Sequence, residues 1–401
     1  MSLLDKLAPM SERVRAIGDR PVPFDTVIDE ANGPCEVVIG GRPTLMCGSN
    51  NYFGLSFHPD VIAAAQEAAA RFGSATTGSR VASGTLRLHR ELEEDLAAAF
   101  GMRQGLVFTT GYQANVGLIS SLCGPDDVAV IDVESHASIY DGTRLSGARV
   151  FAFRHNSADD LARKLAQQPR GRCLVVVEAL YSIAGDLAPL PEIAAACREA
   201  GAFLAVDEAH SFGAYGAHGL GCAEAQGVLG QVDFLVGTFS KALGGVGGFC
   251  VSNHDALKTL HFVARPYVFT ASGSAATIAG VRAALRILLA DRSLNARLWE
   301  NVRRLRTGLA QLGYRLGATA SPIVPVRIGA ADRAIALWQG LLDAGLYVNI
   351  VLPPGCRADA CQLRTSVTSA HSAAQIDRAL AIFEWVGRDL AILSAAACSS
   401  S

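Results

Sequence analysis

The sequence predicts an α/β protein, in which a large domain with a mainly parallel sheet between helices precedes a smaller C-terminal α+β domain. Three observations lead to this prediction. Short apolar runs of strand length alternate with helical patterns over residues 46–285. These runs are apolar on both faces, which is typical of parallel strands covered on both sides by helices. After residue 285 the pattern changes to a long charged amphipathic helix followed by mixed elements.

The spacing of apolar residues predicts the elements of residues 1–285. Residues 1–45 are expected to form an N-terminal helix and a short extended segment. The large domain is expected over residues 46–285. HPDVIAAAQEAAARFG and RLHRELEEDLAAAFG predict helices, because their apolar residues recur at helical spacing and each pattern ends at glycine. The predicted strands of this domain are GLVFTT, VAVIDV, CLVVVEA, FLAVDEA, DFLVGTF and GFCVSN.

The small domain is expected over residues 286–395. SLNARLWENVRRLRTGLAQLG predicts a long amphipathic helix, and a second helix is expected around ALWQGLLDAG. The predicted strands are SPIVPVRIG, LYVNIVL and CQLRTSV. Residues 396–401 are expected to form a disordered tail.

Composition and charge exclude several classes of protein. Half of the 401 residues are hydrophobic and 18% are charged, which fits a compact globule. The net charge of −2 offers no broad attraction for polyanions, so no nucleic-acid partner is expected. The N-terminus has no apolar core of secretory length, and arginines interrupt the most apolar helical stretch. We therefore expect no transmembrane segment and a cytoplasmic location. The scattered cysteines predict no metal site.

Polar side chains follow the predicted strands at the points where those strands end. Ligands of open α/β sheets bind outside the carboxyl ends of the strands, so these residues are candidates for one site. Together they supply hydroxyls, two histidines, a carboxylate and a lysine. The candidates in chain order are Gly111, Tyr112, His136, Ser182, Asp207, His210, Thr238, Ser240 and Lys241.

Lys241 and Asp207 are the charged members of this set. A lysine after a strand is usually a solvated loop residue, but Lys241 lies between an apolar run and a glycine cluster. Desolvation there would lower the pKa of the amine and make it nucleophilic, able to hold an aldehyde as a Schiff base. Asp207 ends an apolar strand, where an unpaired carboxylate is unfavourable. Its partner could be a backbone N–H or a cation such as a protonated pyridine nitrogen.

The remaining strand-exit residues allow two interpretations each. His136 and His210 could be satisfied core histidines or members of the site. Gly111 and Tyr112 could form only a helix cap, or they could present N–H groups to a phosphate. Hydroxyl groups after the fifth apolar run would bind the same anion, and they belong to Thr238 and Ser240. One ligand, pyridoxal phosphate (PLP), would account for the lysine, the carboxylate and the anion-binding cap together.

Several longer motifs resemble one family. GTFSKALGGVGGF, VDEAHSFGAYGAHGLG, SHASIYDG, FRHNS, TTGYQAN, NNYFGLSFHP and LRTSVTSAHSAAQID together resemble the α-oxoamine synthases, which are PLP-dependent transferases of fold type I. Their order and spacing match over most of the chain. The resemblance implies an acyltransferase that catalyses a decarboxylative Claisen condensation. An L-amino acid and an acyl-CoA, or an acyl carrier protein, would give an α-amino ketone, the free thiol and CO2.

The resemblance also implies residue roles in cofactor binding. Lys241 would hold the cofactor aldehyde and later move the α-proton. Asp207 would pair with the pyridine nitrogen. His136 would stack on the ring, and His210 would form a hydrogen bond with its phenolic oxygen. Further cofactor contacts are expected from Gly111, Tyr112, Ser182, Thr238 and Ser240.

Subunit contacts and substrate contacts are implied in the same way. Thr270 and Ser272 would reach the phosphate of a neighbouring subunit, which predicts a homodimer with shared sites. Arg364 would bind the substrate carboxylate with help from Asn51. Ser79 matches a position that is associated with room for an amino-acid side chain, so an amino acid larger than glycine is expected.

Within the family, the chain most resembles soluble bacterial members that condense L-serine with palmitoyl-CoA to give 3-ketodihydrosphingosine, a step of sphingolipid biosynthesis. Two departures stand out. Leu352 replaces an arginine that contacts the substrate carboxylate, and Asn50 replaces a tyrosine in front of the NY pair. The alternatives are a synthase of an amino-ketone signal or secondary metabolite, 8-amino-7-oxononanoate synthase and 2-amino-3-ketobutyrate CoA ligase.

Overall fold

The computed structural model describes residues 2–8, 12, 25–317 and 319–393. Most of the N-terminal helix expected within residues 1–45 lies outside the described residues, and so does the whole expected tail at 396–401. The strands in chain order are β1 (Glu30–Ala31), β2 (Glu36–Ile39), β3 (Arg42–Met46), β4 (Gln104–Phe108), β5 (Val128–Asp132), β6 (Arg149–Phe153), β7 (Cys173–Glu178), β8 (Phe203–Asp207), β9 (Phe234–Thr238), β10 (Gly248–Ser252), β11 (Arg315–Leu316), β12 (Ile323–Gly329), β13 (Leu346–Tyr347), β14 (Asn349–Val351) and β15 (Cys361–Ser366).

The helices connect these strands and cover them. Short 3-10 helices lie at Leu4–Leu7, Leu55–Phe57 and Leu229–Gln231. The α-helices are Pro59–Phe72, Arg87–Ala99, Gly111–Leu122, Ala137–Ser146, Ala158–Leu165, Leu190–Ala200, Cys222–Ala225, Ala256–Val263, Arg265–Val268, Ala275–Ala290, Ser293–Gln311, Ala331–Asp343 and Ala373–Asp389.

The central sheet has seven strands in the order β4-β10-β9-β8-β7-β5-β6. Neighbouring strands from β9 to β6 run parallel, and β10 runs antiparallel to both β4 and β9. The predicted α/β fold with a mainly parallel sheet is therefore confirmed.

Both faces of the central sheet are buried. In β7, Val175 and Val177 belong to one hydrophobic core, whereas Leu174 and Val176 belong to the other. Successive side chains of a strand point to opposite faces, so a strand between two cores must be apolar at every position. This burial explains why the strand reads as one continuous apolar run.

Strand β6 at the edge of the sheet was not among the predicted strands. Of its residues only Phe153 is fully buried, and the others are exposed or half-buried. An edge strand needs no continuous apolar run, so the pattern that predicted the inner strands is missing here.

Two smaller four-stranded sheets complete the fold. The strand order β11-β12-β15-β14 forms one sheet. In the other sheet, β1, β2 and β3 pair antiparallel, and β13 adds to β3 in parallel. The N-terminal extended segment is therefore joined to a strand of the C-terminal part. The domain boundaries at residues 45, 285 and 395 stay a prediction.

The described helices differ from membrane-spanning helices. Among the residues that the structure describes, no helix combines the length and the apolarity that crossing a bilayer requires.

Candidate active site

A cavity of about 290 Å³ lies at the carboxyl ends of the central strands. Its walls come from the segments that follow β4, β5, β7, β8 and β9, because strands running in one direction end at the same edge of the sheet. Eight sequence-predicted site residues line it: Gly111, Tyr112, His136, Asp207, His210, Thr238, Ser240 and Lys241.

Lys241 follows β9 and places its amine at the cavity. Burial lowers the pKa of this amine to about 8, while the carboxylates of Asp207 and Glu178 act in the opposite direction. A lysine in water has a pKa of about 10.4. A larger share of the Lys241 amine is therefore neutral near pH 7 than for a solvated lysine, and the neutral amine is the nucleophilic form.

Asp207 is the last residue of β8 and only 6% exposed. Its Oδ2 accepts a hydrogen bond from Asn115 Nδ2 at 2.7 Å, and its Oδ1 accepts one from Ala209 N at 2.8 Å. These donors orient the carboxylate and leave it further lone pairs for a cationic ligand. Sequence reasoning missed Asn115. It lies one helical turn after Gly111, and that spacing places it on the same face of the helix.

His136 caps the helix Ala137–Ser146 at the mouth of the cavity. Its Nδ1 lies 2.8 Å from Ser138 Oγ, and its backbone N donates to Glu178 Oε1 at 2.6 Å. Burial lowers the pKa of the imidazole from its ordinary value. The ring borders the cavity, so a planar group bound there could lie against it.

His210 lies deeper, with its Nδ1 2.8 Å from the hydroxyl of Tyr52. Burial, followed by the charge of Lys241, holds the pKa of His210 well below its usual value. The ring is therefore neutral. Burial also raises the pKa of Tyr52 to about 12, so the hydroxyl keeps its proton. Tyr52 was part of a quoted motif, but its contact with His210 was not predicted.

Glu178 is a second buried carboxyl group at this edge. It ends β7, faces Asp207 in the strand register and lines the cavity. Burial, followed by the charge of Asp207, raises the pKa of Glu178 to about 8. A larger share of Glu178 is therefore protonated near pH 7 than for a solvated glutamate. The sequence signal was available, because Glu178 follows the apolar run CLVVV as Asp207 follows FLAV, but no role was assigned to this residue.

The helix Gly111–Leu122 begins at the cavity. Thr110 Oγ1 accepts a hydrogen bond from Gln113 N at 3.1 Å and so caps the helix. The N–H groups of Gly111 and Tyr112 come too early in the helix to have an intrahelical acceptor, and both residues line the cavity. Such a helix end attracts anions.

Hydroxyl groups face this helix end. Thr238 Oγ1 lies 2.9 Å from Ser240 Oγ and donates to the carbonyl of Gly247 at 2.9 Å. A Cβ atom on Gly111 would lie 2.8 Å from Thr238 Cβ, so only glycine allows this approach. Helix N–H groups, hydroxyls, an amine of lowered pKa and a carboxylate therefore border one space, and this donor set fits PLP.

Arg364 lies beside the cavity lining rather than within it. It is on β15 and 8% exposed. Its Nε donates to the carbonyl of Ser182 at 2.7 Å, and its Nη1 and Nη2 each donate to Asn50 Oδ1 at 3.2 Å. The hydroxyl of Ser182 is not among the cavity-lining groups of the described residues. Ser182 and Asn50 therefore meet at Arg364.

Asn51 and Ser79 have other contacts. Asn51 Nδ2 donates to Ser56 Oγ at 2.7 Å, and its buried Oδ1 has no partner among the described residues. The carbonyl of Ser79 accepts from Ala82 N and Gly84 N, at 3.1 and 2.9 Å. Neither residue lines the cavity of the described chain. Their substrate roles stay predictions.

Thr270 and Ser272 also lie outside this cavity. Gln113 Nε2 donates to Thr270 Oγ1 at 3.4 Å. Ser272 Oγ donates to the carbonyl of Gly84 at 2.6 Å and to Thr76 Oγ1 at 2.7 Å. Thr270 thus lies near the N-terminus of the helix Gly111–Leu122 of its own chain, and its contact with a neighbouring subunit stays a prediction.

A charged cluster supports the strand ends next to the cavity. His155 Nδ1 donates to Asp132 Oδ1 and its Nε2 donates to Asp186 Oδ2, both at 2.9 Å. These two carboxylates raise the pKa of His155 to about 10 against the effect of burial. The cluster therefore joins the ends of β5 and β6 to the loop that follows β7.

Replacing His155 with glutamine should destabilise the fold more at about pH 6 than at about pH 9.5. The folded-state pKa of His155 is about 10, and an unfolded histidine titrates near 6.5. The stabilisation is therefore complete below that unfolded value and is lost as the pH rises through the folded one. Thermal unfolding of both proteins at several pH values measures the difference.

The control is His218→Gln, which alters an exposed histidine paired with Glu224. Its effect on the unfolding temperature should be smaller than that of His155→Gln at the acidic pH. A His155→Gln loss of equal size at both pH values would contradict the assigned histidinium.

Comparison with known proteins places the chain in a family. The model of the family described as aminotransferase class I and II matches residues 44–383. The chain belongs to the aminotransferase class I and II family. The chain is 47% identical to a serine palmitoyltransferase of Caulobacter vibrioides over 98% of each protein. It is also 40% identical to an 8-amino-7-oxononanoate synthase of Anaeromyxobacter dehalogenans, over 90% of this chain and 91% of that protein.

A solved structure has the same architecture as this chain. It is a lysine-to-alanine variant of serine palmitoyltransferase from Sphingomonas paucimobilis with bound PLP-myriocin. The TM-score is 0.95 at 42% identity, over 98% of this chain and all of that one. The predicted fold type I and the likeness to α-oxoamine synthases are confirmed.

Proposed function

We propose that the protein is a PLP-dependent acyltransferase that condenses L-serine with palmitoyl-CoA. A bond forms between the serine α-carbon and the acyl carbonyl carbon, and the thioester C–S bond breaks. CoA and CO2 leave, and the product is 3-ketodihydrosphingosine. One observation carries the proposal: Lys241, Asp207 and the N-terminus of the helix Gly111–Leu122 border a single cavity, in a chain that is 47% identical to a serine palmitoyltransferase over 98% of each protein.

Different cavity residues would hold different parts of the cofactor. Lys241 would hold it covalently, and Asp207 would face its pyridine nitrogen. The helix end and the facing hydroxyls would hold its phosphate, and His136 would lie against its ring. When bound, PLP withdraws electrons from the α-carbon of the amino acid. These assignments account for each polar group in the donor set at the cavity.

Lys241 and Arg364 would act on the amino acid itself. The neutral amine of Lys241 can accept the α-proton, because its lowered pKa lies near the working pH. Arg364 carries a full charge in a buried place and would bind the serine carboxylate. The hydrogen bonds described for Arg364 go to uncharged oxygens, so this charge remains available to an anion.

We also propose that the enzyme is a homodimer with shared sites. Thr270 and Ser272 lie outside the cavity of their own chain, which is compatible with a contact to a partner's cofactor. Nearby, Phe262 and Phe269 are 69% and 74% exposed, and a subunit interface would cover such apolar side chains. The cytoplasmic location stays a prediction.

The decisive experiment separates serine from other amino acids. We expect L-serine to shift the cofactor absorbance of the holoenzyme at lower concentration than L-alanine or glycine. Thiol release should then be fastest with palmitoyl-CoA across a series of acyl-CoA lengths that includes pimeloyl-CoA. A response to L-alanine with pimeloyl-CoA, and none to L-serine, would instead support 8-amino-7-oxononanoate synthesis.

A further inference from the structure

The side-chain oxygen of Asn50 accepts hydrogen bonds from Arg364, and the hydroxyl of Tyr52 also interacts with this guanidinium. Both terminal guanidinium nitrogens donate to the single oxygen Asn50 Oδ1, each at 3.2 Å. The third contact, from Nε to the carbonyl of Ser182, fixes the opposite edge of the guanidinium. The plane of the guanidinium is therefore held from two sides.

The segment that carries Asn50 is attached to the end of the strand that carries Arg364. Ser366 N donates to the carbonyl of Cys47 at 2.8 Å, and Ser366 Oγ donates to the carbonyl of Ser49 at 2.6 Å. On the other side of Asn50, Ser369 N donates to the carbonyl of Tyr52 at 2.8 Å, so the segment is held before and after Asn50. The distance between Asn50 and Arg364 is thus set by the backbone and does not depend on a mobile loop.

The chemistry of the acceptor matters as much as its position. An amide oxygen orients a guanidinium without neutralising it, whereas a carboxylate would form an ion pair that satisfies the charge. Leu352 is apolar and partly buried against the core, so it adds no second cation here. The resemblance implies an arginine at that position in related enzymes, so Arg364 would meet an anionic ligand without this second cation.

We propose that Asn50 is a positioning residue for Arg364, which fixes the guanidinium through an uncharged acceptor and so lets one arginine bind the amino-acid carboxylate. The inference rests on the proposed function, because that function assigns the substrate carboxylate to Arg364. It adds that the identity of residue 50 sets the affinity for the amino acid.

Asn50→Asp is the sharpest test. The new carboxylate would lie at ion-pair distance from both terminal nitrogens and would compete with the substrate for the charge. The dissociation constant of L-serine, measured by absorbance titration of the holoenzyme, should rise at least about tenfold. Cofactor content and kcat at saturating L-serine should change less than about threefold, since Asn50 does not touch the reacting atoms.

The matched control is Asn253→Asp, which makes the same charge change at an exposed residue that contacts Arg103. Its dissociation constant for L-serine should equal that of the wild type. Asn50→Leu gives a second variant of similar size that removes the acceptor and adds no charge. It should also weaken L-serine binding, so the inference can still be tested if Asn50→Asp folds poorly.

A ligand without the carboxylate provides an independent readout. L-Serine methyl ester offers the same amine and hydroxyl group but no anion, so Asn50→Asp should leave its dissociation constant within about twofold of the wild-type value. An equal loss for L-serine and its methyl ester would show that Asn50 has only a structural role, and it would overturn the inference.

A double-mutant cycle with Arg364→Ala separates this inference from the proposed function. If Asn50 acts through Arg364, then Asn50→Asp should have no further effect in the Arg364→Ala protein. If Arg364→Ala itself leaves L-serine affinity unchanged, the substrate role of Arg364 is wrong. If Arg364→Ala weakens binding but Asn50→Asp does not, only the role of Asn50 is wrong.

Discussion

Replacing Lys241 with alanine should lower turnover by at least about 10³-fold, because it removes both the amine that would hold the cofactor and the group that would move the α-proton. The loss should appear in kcat rather than in the binding of palmitoyl-CoA. Borohydride reduction followed by mass spectrometry should add the cofactor mass to Lys241 in the wild type. The same treatment should leave the variant unlabelled.

Lys258→Ala is the matched control for this prediction. Lys258 is an exposed lysine on the helix Ala256–Val263, outside the cavity. Its removal should leave both turnover and labelling unchanged. Full turnover in Lys241→Ala, or a reduced cofactor attached to another lysine, would refute the assignment of Lys241.

The fold could be predicted from sequence where burial forces a continuous pattern. β7 and β8 lie in the middle of the sheet, and each reads as an apolar run that ends in an acid. The direction of β10 could not be predicted, because an inner antiparallel strand is buried on both faces in the same way as a parallel one. β6 could not be predicted for the opposite reason, since its edge position leaves most of its residues exposed or half-buried.

The candidate site could also be predicted from the sequence only in part. Residues directly after strands, such as Lys241 and Asp207, could be identified because the strand edge itself is a known place for ligands. The contact from Asn115 to Asp207 spans 92 residues, and the contact from Arg364 to Asn50 spans 314 residues. No local pattern encodes such pairs. Asn50 was noticed only as a departure from relatives, and the structure supplied its partner.

The raised pKa of Glu178 has a consequence for its neighbour. Asp207 contributes to this rise through its negative charge, after the larger effect of burial. Removing the charge of Asp207 should therefore lower the pKa of Glu178 and favour its ionised form. The ionisation of each carboxyl group therefore depends on the charge of the other, and replacing either one affects the ionisation of both.

Replacing Asp207 with asparagine should reduce kcat by about 10²- to 10³-fold, because the amide keeps the shape of the side chain but loses the charge that would stabilise a protonated pyridine nitrogen. The apoenzyme should unfold at an equal or higher temperature, since a carboxylate that is only 6% exposed would be gone. Steady-state kinetics and thermal unfolding of the apoenzyme measure the two effects separately.

Two comparisons decide whether the charge itself is responsible. Asp126→Asn removes a charge from an exposed residue that lies 3.9 Å from Arg172, and it should leave kcat unchanged. Adding Glu178→Gln to Asp207→Asn should lower kcat further, because the cavity would then hold neither carboxylate. The same Glu178→Gln change in the wild type should have the smaller effect, since the raised pKa of Glu178 leaves it less ionised than a solvated glutamate. An Asp207→Asn enzyme with wild-type kcat would show that the buried carboxylate does not act on the cofactor ring.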